Sequence, residues 1–123
     1  MTRTEIIIKE MKKSSSWTRY LLKSFDQEKE LIIPEGLKTN VNWQIGHILL
    51  SRHYHSVVMV FGKQKALTEA IPFREYAAHY AMGSKAAENG TKQPSIALLM
   101  DGLREVDKVA VELISEMSES SLD

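Results

Sequence analysis

The chain has 123 residues, with 16 Lys+Arg, 16 Asp+Glu, four His and no Cys, so its formal net charge is zero. This length is typical of one domain, and a hydrophobic fraction of 43% is sufficient for one core. The charge balance argues against a basic nucleic-acid-binding protein. The lack of Cys excludes disulfides, a cysteine nucleophile and Cys-type zinc sites. No secretory signal or membrane-spanning run is found, so we expect a cytoplasmic protein with no nucleic-acid or membrane partner.

The first predicted helix covers about residues 4–25. Its apolar stripe follows helical spacing: Ile7, Met11, Thr18, Leu21 and Phe25. The run Ser14-Ser15-Ser16 lies in the middle, where small side chains either admit a close neighbouring helix or form a solvated turn. A loop follows over 26–39, marked by Pro34 and Gly36, and its apolar part is expected to fold back over the end of the bundle.

The second predicted helix begins at Thr39 or Asn40, both good N-cap residues, and ends at Gly62. One stripe along it is predicted to face other helices: Trp43, His47, Leu50, Tyr54, Val57 and Phe61. Further apolar residues lie outside this stripe: Ile45, Ile48, Leu49, Val58 and Val60. A helix that is apolar over so much of its girth needs partners on more than one side.

A long crossover, interrupted by Pro72 and by turn signals at Gly83-Ser84 and Asn89-Gly90, covers about 62–94. The third helix begins near Pro94-Ser95. Its heptad positions are apolar without a break: Ile96, Leu99, Leu103, Val106, Ala110, Leu113 and Met117. A terminal loop is predicted over 118–123. The sequence thus predicts an all-α bundle of three long helices within one domain, residues 1–123.

Histidines are the candidates for chemistry. His47 lies inside the apolar stripe next to Gly46, where it would act either as a metal ligand or as a hydrogen-bonded core residue. His53 and His55 point to opposite sides of a helix and cannot share a metal, so surface or interface positions are expected for both. His79 lies near two tyrosines in the crossover and could reach the mouth of the bundle.

Several short motifs resemble, in order, those of the DinB-like family. They are an aromatic residue followed by Gly-His at Trp43, Gly46 and His47, the aromatic-x-x-Gly-Ser element Tyr80 to Ser84, the start of the third helix at Pro94-Ser95, and Ser121-Leu122-Asp123 at the last loop. The resemblance covers nearly the whole chain. It implies an up-down four-helix bundle with a long crossover, of which three long helices are present and the fourth core helix is missing.

The resemblance also implies a divalent metal, zinc or nickel, bound by three histidines. His47 matches the first ligand, whereas the other two form a His-x-x-x-His pair on a fourth helix that this sequence does not contain. The metal site is therefore expected to be incomplete in this chain. Characterised relatives include transferases that use a small-molecule thiol as cosubstrate, and a metal would activate that thiol by deprotonating it.

The residues and the resemblance support two hypotheses about the function of the protein. The first is a DinB-like metal-dependent enzyme, with thiol transfer as its reaction and His47 as one ligand. The second is a non-catalytic helical bundle that dimerises or binds a partner or a small apolar ligand. The second helix is apolar on more than one side, and no closing helix follows the third in this sequence. Either a second copy of the chain completes the domain, or the domain is C-terminally incomplete and lacks its last helix; we expect a homodimer.

Overall fold

The computed structural model describes residues 1–87, 92–117 and 122. Every regular element in these ranges is helical, in the order α1 (Arg3–Lys23), a 3-10 turn (Gln27–Lys29), α2 (Val41–His53), a π-helical turn (Tyr54–Val58), α3 (Met59–Phe61), α4 (Lys65–Ala70), α5 (Phe73–Tyr80) and α6 (Ile96–Ser115). The all-α class is therefore confirmed for these ranges. The predicted Asn89-Gly90 turn and C-terminal loop fall outside them, Leu122 excepted. None of the helices described combines the length and apolarity that crossing a bilayer requires.

Helix α6 is the centre of the fold, and both α1 and α2 pack against it. The Ser95 hydroxyl caps its first turn by accepting from the backbone N–H of Leu98 at 3.2 Å, as the sequence predicts. The heptad positions of α6 that are buried confirm the predicted stripe: Ile96, Leu99, Leu103, Val106 and Ala110. Leu113 and Met117 are half-buried.

Helix α1 contributes less to the core than its apolar stripe suggests. Its only fully buried residues are Thr4 and Ser15, whereas Leu21 is 67% exposed. The main contacts of α1 are with α6, so one neighbour covers only part of its apolar surface. Ser15 is the member of the serine run that lies against the neighbouring helices, while Ser14 and Ser16 are exposed.

The buried face of α2 differs from the predicted one. The residues that face the core are Asn42, Ile45, Gly46, Leu49 and His53. Of the predicted stripe, only Val57 is fully buried. Trp43, His47, Leu50 and Phe61 are half-buried, and Tyr54 is 54% exposed. The prediction is therefore correct only in part: Val57 enters the core and Trp43 and Leu50 pack against it, but a second face of α2 is the more deeply buried one. Because α2 is apolar on two faces, periodicity alone does not tell which face is the more buried.

The π-helical turn after His53 changes which residues at the end of this helix face the core. Its closing bond runs from the N–H of Met59 to the carbonyl of Tyr54, five residues back. In an uninterrupted α-helix, position 60 lies seven residues after His53 and would therefore be on the same core-facing side as His53. The extra residue in the π turn leaves Val60 57% exposed and brings Phe61 into a half-buried place instead. The helix then ends at Gly62, whose positive φ of 80° favours glycine.

The crossover folds back along α2. Pro72 immediately precedes α5, which packs against α2. Four apolar or aromatic residues of α4, α5 and the link between them enter the core: Leu67, Ile71, Tyr76 and Tyr80. Asn40 caps α2 through its side-chain oxygen and ties the earlier loop to the crossover, because its Nδ2 donates to the carbonyls of Leu31 and Ala87.

Candidate functional site

His47 lies where α2 meets the end of α5. Its Nδ1 is 2.8 Å from the backbone carbonyl of Tyr80, and its ring stacks on Trp43 with centroids 4.7 Å apart. A carbonyl oxygen only accepts hydrogen bonds, so Nδ1 must carry the proton. In the neutral ring the lone pair is therefore on Nε2. This is the tautomer in which an imidazole binds a metal while a second group orients it.

Two of the motifs that carry the family resemblance meet in space. A Cβ added to Gly46 would lie 2.3 Å from the Tyr80 ring, so only glycine admits that ring at this distance. The indole N–H of Trp43 donates to the Ser84 hydroxyl at 2.9 Å. That hydroxyl lies 2.6 Å from the carbonyl of Ala81, to which it donates. The Gly-His motif and the aromatic-x-x-Gly-Ser element thus form one connected unit that fixes the crossover to α2.

A buried polar network joins Tyr80 of this unit to Asn42, Pro94 and Glu30. The Tyr80 hydroxyl donates to Asn42 Oδ1 at 2.7 Å, and Asn42 Nδ2 donates to the Pro94 carbonyl at 2.7 Å and to the Glu30 carboxylate at 3.2 Å. Glu30 in turn accepts from the backbone N–H of Ile96. Burial raises the pKa of the Tyr80 hydroxyl well above its usual range, despite the hydrogen bond to Asn42. The phenol therefore stays protonated and acts as a structural donor.

One face of α2 and its extension, which we call the outer face, is apolar without being fully covered. Its members lie on successive turns: Trp43, His47, Leu50, Tyr54 and, one π-helical turn further, Met59. The first three are half-buried, whereas Tyr54 is 54% and Met59 64% exposed. Four of its members belong to the predicted stripe of α2: Trp43, His47, Leu50 and Tyr54. Met59 was not part of that prediction, and the predicted Val57 is buried.

The described residues do not provide a complete metal site. In residues 1–87, 92–117 and 122, no group of three His, Cys, Asp or Glu side chains is arranged to hold an ion. A catalytic zinc ion needs three protein ligands, and His47 provides one. His55 is exposed and its Nδ1 is 2.9 Å from the Ser51 carbonyl, while His79 is half-buried beside the Tyr80 ring. Neither histidine joins His47 in a cluster.

His53 is not a surface residue, which corrects the sequence prediction for this histidine. It is 8% exposed and lies parallel to the Phe73 ring, with centroids 3.7 Å apart. Its Nε2 is buried and has no hydrogen-bond partner in the part of the chain that the structure describes. Burial lowers the pKa of His53, because a charged imidazole would lose its hydration there.

We expect the fold to become less stable as the pH is lowered, because of His53. Its pKa is about 6.5 when unfolded and lower in the fold, so the unfolded chain takes up the proton first. The free energy of unfolding should therefore decrease as pH drops below about 6.5. Urea titrations between pH 8 and about 5 measure this slope. His53→Leu should flatten it and His55→Gln should not; an unchanged slope in His53→Leu would contradict the assignment.

A second polar cluster joins the three long helices. Arg52 of α2 donates to both carboxylate oxygens of Asp107 on α6, at 3.1 and 3.2 Å, and the Ser15 hydroxyl of α1 donates to the same carboxylate. The Arg52 and Asp107 side chains are only 19% and 14% exposed. This cluster was not predicted from the sequence, because its members are far apart in the chain and belong to no motif.

No family model, no curated protein and no solved structure matches the chain.

Proposed function

We propose that this chain is a DinB-like helical-bundle protein that works as a homodimer, in which the outer faces of two copies cover each other. The observation that carries the proposal is the outer face itself. It extends over about 24 Å of helix, contains aromatic and apolar side chains, and leaves Tyr54 and Met59 more than half exposed. Burying such a surface is favourable in proportion to the apolar area removed from water.

A second copy of the chain suits this face better than a charged partner. The outer face has no carboxylate, ammonium or guanidinium group among its members. A twofold interface brings the same patch of each copy together, and apolar and aromatic contacts are self-complementary in a way that like charges are not. The formal net charge of zero means that two copies do not repel each other.

Sedimentation velocity over a range of concentrations tests the homodimer. We expect wild-type protein to sediment at twice the mass of one chain. Tyr54→Lys should weaken the dimer by at least about tenfold, since each copy would place a charged ammonium group in an apolar interface. Tyr20→Lys is the matched control, because Tyr20 is 67% exposed and lies on α1, whose main contacts are with α6. A wild-type monomer at all concentrations, or equal effects of the two variants, would overturn the proposal.

Metal-dependent transfer to or from a small-molecule thiol is the second candidate, and the tautomer of His47 favours it. The described residues offer one imidazole in the ligating form and no three-ligand set, so we assign no reaction step to a metal. Titration with zinc or nickel, followed by elemental analysis, tests this candidate. It requires stoichiometric metal that is lost in His47→Ala and kept in His55→Ala; no retained metal in wild-type protein would exclude it.

A further inference from the structure

A groove between α1 and α6 is separate from the outer face. It consists of two adjoining cavities of about 400 and 520 Å³, which share the side chains of Arg19 and Arg104. No member of the outer face lines either cavity. Volumes of this size are typical of sites for small molecules.

The smaller cavity combines an apolar wall with positive charge. Met11 of α1 and Val111 of α6 supply apolar surface. Arg104 is engaged by Asp101 at 2.8 Å, and the carboxylate of Asp107 is paired with Arg52.

Three cations that line this cavity, Lys12, Arg19 and Lys108, have no ion pair with any residue that the structure describes. Glu112 also lines this cavity, and it is the one acidic lining residue without an ion pair to any described residue. The cavity therefore has an excess of positive charge beside an apolar wall.

We propose that this groove binds an amphipathic carboxylate, a molecule with a linear aliphatic chain and one carboxylate. The carboxylate would sit on Arg19, because its planar guanidinium can donate two parallel hydrogen bonds to a carboxylate and it borders both cavities. The aliphatic chain would lie along Met11 and Val111. The cationic side chains select against neutral lipids, and the apolar wall selects against short anions such as acetate.

Isothermal titration of the purified protein with decanoate, kept below its micelle-forming concentration, tests the proposal. Decanol has the same aliphatic chain as decanoate but no charge, and acetate has the carboxylate but no long aliphatic chain. We expect decanoate to bind at least about tenfold more tightly than either. Equal affinity for decanoate and decanol would overturn the proposal, as would an absence of decanoate binding.

Two variants locate the site. Arg19→Gln should weaken decanoate binding by about tenfold or more, whereas Arg74→Gln, an exposed arginine on α5, should leave it unchanged. Val111→Phe should fill the cavity and abolish binding. If circular dichroism shows that this variant does not fold, the comparison of Arg19→Gln with Arg74→Gln still tests the location of the site. Tyr54→Lys should bind decanoate normally, which separates this site from the proposed dimer. Unchanged affinity in Arg19→Gln would contradict the assignment.

Discussion

Replacing Gly46 by alanine is expected to lower the free energy of unfolding by about 3 kcal/mol. Helix propensity alone would favour alanine in the middle of α2 by about 1 kcal/mol. The packing reverses this sign, because the new methyl group would lie 2.3 Å from the Tyr80 ring, which is itself 1% exposed and cannot move aside freely. Denaturant unfolding of the two proteins measures the difference.

Gly102→Ala is the matched control for this prediction. Its added Cβ would lie 3.2 Å from a methyl group of Leu49, which would have to shift by only a few tenths of an ångström, so a change within about 1 kcal/mol is expected. In addition, Tyr80→Leu should be less harmful in the Gly46→Ala background than in the wild type, because the smaller side chain removes the clash. Equal effects of the two alanine substitutions would show that the Gly46–Tyr80 contact does not limit packing.

Replacing Asn42 by alanine should have an effect of similar size. Asn42 is 1% exposed and holds three separate segments through Tyr80, Pro94 and Glu30. Its removal leaves a buried hydroxyl and a carbonyl without their best partners, and each such loss costs about 1–3 kcal/mol. We therefore expect a total loss of about 3 kcal/mol of unfolding free energy, measured by urea unfolding.

Gln44→Ala serves as the comparison for Asn42→Ala, since Gln44 is on the same helix but exposed. That substitution should change stability by less than about 0.5 kcal/mol. If Asn42→Ala also remained within that limit, the network that links Glu30 to Tyr80 would not stabilise the fold.

Helix α6 was predictable from the sequence for a clear physical reason. Its heptad positions are apolar over three heptads and its polar residues lie on the other side, so one periodicity accounts for the whole helix. The helix ends were also predictable, because Asn40 and Ser95 carry oxygens that cap backbone N–H groups and Gly62 allows a positive φ. These are local effects, and local effects are visible in a sequence.

The orientation of α2 was not predictable in this way. Its inner face includes Asn42, Gly46 and His53, which a hydrophobicity pattern counts as breaks, and yet these residues pack or bond specifically against the crossover. The competing outer face is the more regular apolar stripe. The π-helical turn Tyr54–Val58 then changes the register, and no residue type specifies such a turn.

The candidate site was predictable only in part. His47 was identified from the sequence, but its bond to the Tyr80 carbonyl depends on a contact across 33 positions. The Arg52–Asp107 pair is separated by 55 positions, and the cations of the α1–α6 groove come from two helices at opposite ends of the chain. Such tertiary contacts have no local signal.

Single-cysteine cross-linking tests the proposed dimer face most directly. The chain has no cysteine, so Tyr54→Cys on the outer face and Tyr20→Cys on α1 each place one thiol on every copy. Tyr20 is 67% exposed and is not a member of the outer face. Mild oxidation, followed by non-reducing electrophoresis, measures the disulfide-linked fraction. We expect rapid, nearly complete cross-linking at position 54 and little at position 20. Equal cross-linking at both positions, or none at position 54, would contradict the claim that the outer faces of two copies meet.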